Sequence, residues 1–295
     1  MKKSDKPENM FPTAKEDVSA SKLMPDTPQT RSESYRLAYS DEDFMLREEL
    51  RPVRLQLELL KPELLQKENN ILSTIVIFGS ARIPDYETAV QRLKKAEALA
   101  ESDITNETLA RKVKIAKSIL EKSRYYDEAR ELARLITLNS QQDEKCDHVV
   151  ITGGGPGIME AANRGANDVG GKSIGLNIVL PFEQEPNPYI TPELCFQFHY
   201  FAIRKMHFLK RARALIVCPG GFGTLDELFE TLTLIQTKKI KPFPILLLGS
   251  KYWHRVINFD VLVEEGTVDE SDLDIFEYVD SAEQAMTAIR EFYDL

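Results

Sequence analysis

The residues whose types and spacing could do chemistry are concentrated in one stretch, Val217-Cys218-Pro219-Gly220-Gly221-Phe222-Gly223-Thr224-Leu225-Asp226-Glu227. An apolar run stops at a proline, turns through glycines and enters a helix with acids near its start. Pro219 has no N–H to give to a central ladder, so it ends the run from Ala214. Gly220, Gly221 and Gly223 allow positive φ and close approach of a ligand to the backbone. Thr224 fits an N-cap, and the unpaired N–H groups of a helix start attract anions. The stretch reads as a phosphate cradle with Glu227 beside whatever carries the phosphate. It also fits a tight strand-to-helix turn, in which Glu227 merely complements the helix dipole.

Three further groups join it. Thr74 to Phe78 is a β-branched first strand that ends at Gly79-Ser80-Ala81-Arg82, and the turn after a first strand is where doubly wound sheets open a ligand crevice. His148 to Thr152 is a second strand, followed by the glycine-rich Gly153-Gly154-Gly155-Pro156-Gly157 and a helix with Glu160 in its first turn. Arg204-Lys205 lies on a helix beginning near Ala202. A phosphate needs backbone N–H groups and a cation, which these elements can supply from one edge of a parallel sheet. A carboxylate near a phosphorylated sugar suits glycosidic cleavage, because it can activate water or stabilise an oxocarbenium-like transition state. Arg204 read alone is equally a surface ion-pair residue.

Other chemistries fit less well. Gly153-x-Gly155-x-Gly157 has Ile158 where a dinucleotide fingerprint needs its third glycine, and Asn177 stands where a ribose-binding acid is expected. Gly170-Gly171-Lys172-Ser173 mimics a P-loop, but Ala166 replaces the leading glycine and Lys172 enters a strand. His148, His199, His207 and His254 are scattered without metal-ligand spacing, and His207 reads as a helix-surface or substrate-contacting residue. No GxSxG elbow is present for a serine hydrolase. No metal site or cofactor is expected.

The elements that must hold these residues follow from pattern and composition. Residues 1–38 are polar and aperiodic, the composition of a disordered tail. Residues 39–70 form a helical extension of one or two amphipathic helices, with the Ser40-Asp41-Glu42-Asp43 start acting as a cap and interruptions at Pro52 and Pro62. Its acids argue against a membrane surface. Residues 71–295 alternate strands and helices as a Rossmann-like doubly wound parallel sheet of about seven strands, an α/β fold. Further strands are expected at Ser173–Val179, Leu194–Tyr200, Phe243–Leu248 and Phe276–Val279, with one helix over Tyr252–Glu264 and a last over Ala282–Tyr293. The charged helical stretch near residues 102–146 exceeds a normal crossover and reads as an insertion or an oligomer contact, with Arg111-Lys112-Val113-Lys114 on a solvated face.

A net charge of −9 argues against nucleic-acid binding, so a phosphate must be held by local features. Cys146, Cys195 and Cys218 have no CxxC spacing, which fits a reducing cytoplasm without disulfides. No signal peptide or membrane-spanning run is expected.

The residues from Pro219 to Glu227 reproduce the signature PGGxGTxxE, and with Gly153-Gly154-Gly155, Arg204-Lys205 and Phe78-Gly79-Ser80 the chain resembles the LONELY GUY (LOG) family. Its members are cytokinin riboside 5′-monophosphate phosphoribohydrolases, many formerly labelled possible lysine decarboxylases. The resemblance covers roughly residues 74–265. It implies Arg204 and Glu227 as the catalytic pair and Gly220, Gly221, Gly223 and Thr224 at a 5′-phosphate. Gly79, Ser80, Gly154, Gly155 and Lys205 complete the substrate-binding candidates. The implied reaction releases a free base and ribose 5-phosphate from a nucleoside 5′-monophosphate (AMP or a cytokinin riboside monophosphate), in a homodimer or larger assembly. Phe208 stands where the family often carries methionine after Arg-Lys. The long N-terminal region and helical insertion resemble the longer bacterial branch. A non-catalytic carrier or sensor of a phosphorylated ligand is the alternative on the same fold, and no lysine stands in a recognisable pyridoxal-phosphate setting.

Overall fold

Strands of this chain are short apolar runs because both of their faces are covered. The computed structural model describes residues 11–141, 146–181 and 185–294. The first ten residues of the expected tail and residues 142–145 of the expected insertion lie outside them. The chain divides into two units between Leu57 and Glu58.

The first unit contains helices α1 (Ala14–Ser21) and α2 (Glu42–Met45). Thr13 and Glu16 form a capping box at the start of α1. At α2 the cap is Asp41, not Ser40, and its side chain accepts from Phe44 N–H. Helix α3 (Arg51–Glu68) contains the division between the units and runs through both prolines that were expected to interrupt it. Pro52 stands in the first turn, where no intrahelical N–H is needed. Pro62 cannot donate to the Glu58 carbonyl, and His207 Nε2 donates to that carbonyl instead, at 3.3 Å. His207 is therefore buried against α3 and is neither a helix-surface residue nor part of the cavity described below.

The second unit continues with β1 (Thr74–Phe78), α4 (Tyr86–Glu101), α5 (Glu107–Lys122), α6 (Arg124–Ser140), β2 (Val149–Thr152), α7 (Ile158–Asn167), β3 (Ser173–Ile178), β4 (Cys195–Phe198) and α8 (Phe201–Leu209). It ends with β5 (Ala212–Val217), α9 (Phe222–Gln236), β6 (Ile245–Leu248), α10 (Ser250–Val256), α11 (Phe259–Glu264), β7 (Phe276–Val279) and α12 (Ala282–Tyr293). The single helix expected over Tyr252–Glu264 is two helices. Ile257 is extended, and Asn258 holds the N-cap position of α11, a place that suits asparagine better than a helix interior.

The seven strands form one parallel sheet in the order β4-β3-β2-β1-β5-β6-β7. This is the expected α/β doubly wound arrangement. Alternate side chains feed two core layers. Ile75, Ile77, Val150, Ala214 and Ile216 meet α6, α7 and α12, while Val76, Phe78, Val149, Ile151, Leu215 and Val217 meet the layer of α8, α9 and Trp253. The chain leaves β1 in one direction to build β2–β4 and returns beside it to build β5–β7. The crevice at this switch lies over the C-terminal ends of β1 and β5, next to Phe78 and Val217.

The charged stretch near residues 102–146 holds two different elements. Helix α5 buries none of its residues and pairs with α4, to which Lys117 and Glu97 link it at 3.4 Å. Helix α6 buries Tyr125, Tyr126, Ala129, Leu132, Ala133 and Ile136 and is the crossover that covers the sheet. Among the described residues, no helix is long and apolar enough to cross a membrane.

Candidate functional site

The loops after β1, β2 and β5 are built against one another, and glycine is required at their contacts. A Cβ on Gly79 would stand 2.5 Å from the Ile158 side chain. Gly157 has φ +70°, and a Cβ there would stand 2.5 Å from the Ser80 carbonyl oxygen. Ile158 N–H donates to that carbonyl at 3.2 Å, and Ser80 N–H donates to the Pro219 carbonyl at 3.0 Å. Cys218 N–H donates to the Phe78 carbonyl at 2.8 Å. These bonds hold the Gly79-Ser80 turn beside the Pro219–Gly221 loop.

Helix α9 begins at Phe222, with Gly221 in the N-cap position. Thr224 is thus in the first turn and is not the N-cap. It is buried and stands under Gly220, where a Cβ would come within 2.1 Å of Thr224 Oγ1. Gly221 and Gly223 differ: a Cβ on either meets no atom within 4 Å. The protein itself therefore gives no steric reason for glycine there, and the free space lies at a helix start where Thr224 and Leu225 N–H donate to the Gly221 carbonyl at 3.0 Å while the Phe222 and Gly223 N–H groups have no intrahelical acceptor. From the other side, Tyr252 Oη donates to the Gly220 carbonyl at 2.5 Å, and Trp253 Nε1 donates to the Val217 and Leu248 carbonyls, each at 3.1 Å.

These loops open into a cavity of about 770 Å³. Of the residues expected at a site, it is lined by Gly79, Ser80, Gly220, Gly221, Gly223, Thr224, Arg204 and Glu227. Gly154, Gly155 and Lys205 are not in its lining. Gly154 (φ +77°) fits under Asn177, whose Oδ1 would stand 2.4 Å from a Cβ there. Asn187 Nδ2 donates to the Gly154 and Gly155 carbonyls at 3.2 and 3.1 Å, so these two glycines shape the loop from behind while Gly153 reaches the cavity.

Arg204 is held by backbone and aromatic contacts. Its Nε donates to the Leu176 carbonyl at 2.7 Å, and its guanidinium lies 5.1 Å from the ring centre of Phe208. Phe208, one turn along α8, is itself wedged edge-on against Phe78 at 4.7 Å. The residue that departs from the family pattern thus supports the arginine. Burial lowers the Arg204 guanidinium from its ordinary value, and Glu227 pulls it back up.

Glu227 is 5% exposed and sits in the second turn of α9. Burial pushes its carboxyl up to about 7; Lys205 pulls it down, Glu230 pushes it up, Arg204 pulls it down and Asp226 pushes it up. A carboxyl poised near neutrality can exchange protons at working pH. Lys205 Nζ is engaged at 2.9 Å by both Asp226 and Glu230. Burial works against its charge, but the bonds to Glu230 and Asp226 leave it raised above the usual lysine value.

Several residues of the arrangement escaped the reading of the sequence. Glu58 of α3 accepts from the N–H groups of His199 and Tyr200 at 2.8 and 3.0 Å, holding the start of α8. Glu63 forks onto Arg211 just beyond α8 at 2.6 and 2.7 Å. Tyr252 lines the cavity, and so does one face of α5: Ile115, Ser118, Ile119 and Lys122. Their i, i+3, i+4, i+7 spacing is visible in the sequence, but nothing there says which surface that face meets. Among the described residues, no group of three or more His, Cys, Asp or Glu is placed to hold a metal ion.

A family model described as possible lysine decarboxylase matches residues 159–289, a range that includes Arg204 and Glu227. The chain is similar to a "probable cytokinin riboside 5′-monophosphate phosphoribohydrolase" of Oryza sativa subsp. japonica, 30% identical over 162 residues, covering 54% of this chain and 69% of that protein. It is also similar to a cytokinin riboside 5′-monophosphate phosphoribohydrolase of Arabidopsis thaliana, 28% identical over 175 residues, covering 58% of this chain and 77% of that protein. Among solved structures, the molybdenum cofactor binding protein of Rippkaea orientalis aligns at 21% identity with a TM-score of 0.41, over 57% of this chain and 88% of that one.

Proposed function

We propose that this chain, which belongs to the LOG family, hydrolyses the N-glycosidic bond of a nucleoside 5′-monophosphate, AMP or a cytokinin riboside monophosphate. The observation that carries the reading is Glu227, buried with its carboxyl near 7 in the same cavity as Arg204 and the glycine loop.

The 5′-phosphate sits at the start of α9, where Gly221 and Gly223 leave space and the first N–H groups face it. Gly220, Thr224, Gly79 and Ser80 shape that end of the cavity, with Gly154 and Gly155 behind the neighbouring loop and Lys205 setting the charge of Glu227. The ribose then lies toward Arg204 and Glu227. The bond from C1′ to the base nitrogen breaks, the electron pair leaves with the base, and positive charge grows on the ring oxygen and C1′. The Glu227 carboxylate stabilises that charge and takes a proton from the attacking water as the new C1′–O bond forms. The proton taken from water passes on to the departing base nitrogen, which returns Glu227 to its carboxylate, and the products are the free base and ribose 5-phosphate. Arg204, fixed by Leu176 and Phe208, contributes a positive charge without needing to reorganise. No organic cofactor or metal enters this scheme. The reading also carries a homodimer or larger assembly in the cytoplasm, and light scattering checks the assembly.

Incubation with AMP and with isopentenyladenosine monophosphate, followed by chromatography of the free base, tests the activity. Glu227→Gln should lower turnover by at least about 10²-fold while AMP still binds. Absence of base from every nucleoside monophosphate would overturn the hydrolase reading, and tight AMP binding without turnover in the unaltered protein would favour a carrier.

A further inference from the structure

The cavity is charged in the opposite sense to the protein. The chain carries a net −9, yet the cavity lining holds the basic residues Arg82, Lys122 and Arg204 against the single acid Glu227. Arg204 is accounted for by Leu176, Phe208 and Glu227. Lys122 is not. Its Nζ reaches only back along its own helix, to the Ser118 carbonyl at 3.0 Å and Ser118 Oγ at 2.6 Å, and among the described residues it forms no ion pair. It ends the face of α5 whose Ile115 and Ile119 also line the cavity.

The neighbours of Lys122 tie it to the elements around the glycine loop. Tyr125, one turn on, stands 2.8 Å from where a Cβ of Gly249 would be, and Gly249 opens α10. Tyr252 of α10 in turn binds the Gly220 carbonyl and lines the cavity. Arg255 of the same α10 acts on the Lys122 ammonium, and Lys122 lines one cavity with Gly221 and Gly223, whose faces are open. Burial lowers its ammonium below the usual lysine value, Glu121 raises it and Arg255 lowers it further, so an anion brought into the cavity would relieve an unfavourable setting.

We propose that Lys122 pairs with the 5′-phosphate of the substrate, which makes the α4–α5 hairpin a substrate-binding element. Helix α5 lies outside the residues matched by the family model, so the lysine is added to the glycine cradle by a separate part of the chain. The inference rests on the nucleoside monophosphate reading, because it takes the cradle's ligand to be a phosphate ester.

The test is calorimetric binding of AMP and of adenosine to the full chain and to its Lys122→Gln and Lys122→Arg variants. Lys122→Gln should weaken AMP at least about tenfold, equivalent to about 1.4 kcal/mol, and shift adenosine by less than about twofold. Lys122→Arg should restore most of the AMP affinity. Unchanged AMP affinity in Lys122→Gln, equal losses for AMP and adenosine, or no AMP binding by the unaltered protein would each overturn the proposal. The hydrolase reading is judged separately by release of base. Turnover with AMP affinity independent of Lys122 would spare that reading and remove the lysine. Lys122-dependent AMP binding without turnover would do the reverse.

Discussion

Lys205 Nζ lies 2.9 Å from the Asp226 carboxylate, and this ion pair fastens the helix that carries Arg204 to the helix that carries Glu227. Glu230 Oε2 forms a second ion pair with the same ammonium, also at 2.9 Å. Lys205 is also the strongest of the charges that hold the Glu227 carboxyl down. One lysine thus ties the two site helices together and opposes the burial that raises the acid. It does so from outside the cavity.

Lys205→Met should lower kcat/KM at pH 7 by about tenfold, or 1.4 kcal/mol of transition-state stabilisation. It should also move the acid limb of the pH–rate profile upward, because Glu227 loses the positive charge that favours its ionised form. In the unaltered protein that limb should fall near pH 7, with activity rising as Glu227 ionises. A pH profile of the two proteins checks both points, and an unshifted limb would separate Lys205 from Glu227.

Burial of Glu227 has a cost that pH can reveal. Its carboxyl moves from an ordinary 4.5 to about 7 on folding. Between these values the folded chain keeps a proton that the unfolded chain has lost, so this group's contribution to stability falls as pH rises through the window and levels off above 7. The full effect is on the order of 3 kcal/mol. Glu227→Gln should therefore melt higher than the unaltered protein at pH 8 and close to it at pH 4.5. Parallel melting curves across that range would contradict the buried, proton-holding carboxyl.

The glycines of the loop should separate by role. Gly220→Ala forces a Cβ onto Thr224 and should destabilise by about 1–3 kcal/mol. Gly221→Ala and Gly223→Ala add a methyl to empty space and should leave the melting temperature within about 2 °C, while weakening monophosphate binding at least tenfold. Thermal melts and AMP titrations of the three variants decide this, and full AMP affinity in Gly223→Ala would move the phosphate away from the helix start.

Glu58 accepts from the His199 and Tyr200 N–H groups just ahead of α8, so Glu58→Ala should cost about 1 kcal/mol and reduce kcat/KM through a displaced Arg204. Melting and kinetics on the same preparation test it. A normal kcat/KM in a destabilised variant would confine Glu58 to folding.

Much of the site's content is local and was therefore legible. Glycine, proline and acid at set offsets in Pro219–Glu227 dictate a strand, a turn and a helix start, whatever surrounds them. The run of short apolar strands separated by helices led to a parallel sheet, because both faces of such strands need cover. The helix start itself was misplaced by three residues: Thr224 looked like a cap, but Gly221 takes that position and Thr224 is buried under Gly220. Pro62 looked like a helix end, since the bond that saves α3 comes from His207, far away in sequence.

What the sequence by itself determined is the chemistry available: a glycine loop, an arginine, a buried-type strand pattern and an acid one turn into a helix. Only the tertiary structure decided which of these face one cavity. It put Arg204 and Glu227 there, drew Lys205 aside to Asp226 and Glu230, turned Gly154 and Gly155 toward Asn187, and brought in Lys122 from α5. The physical reason is that turns and caps are settled over a few residues. A charge's neighbours and its loss of water depend on distant segments meeting over the same edge of the sheet.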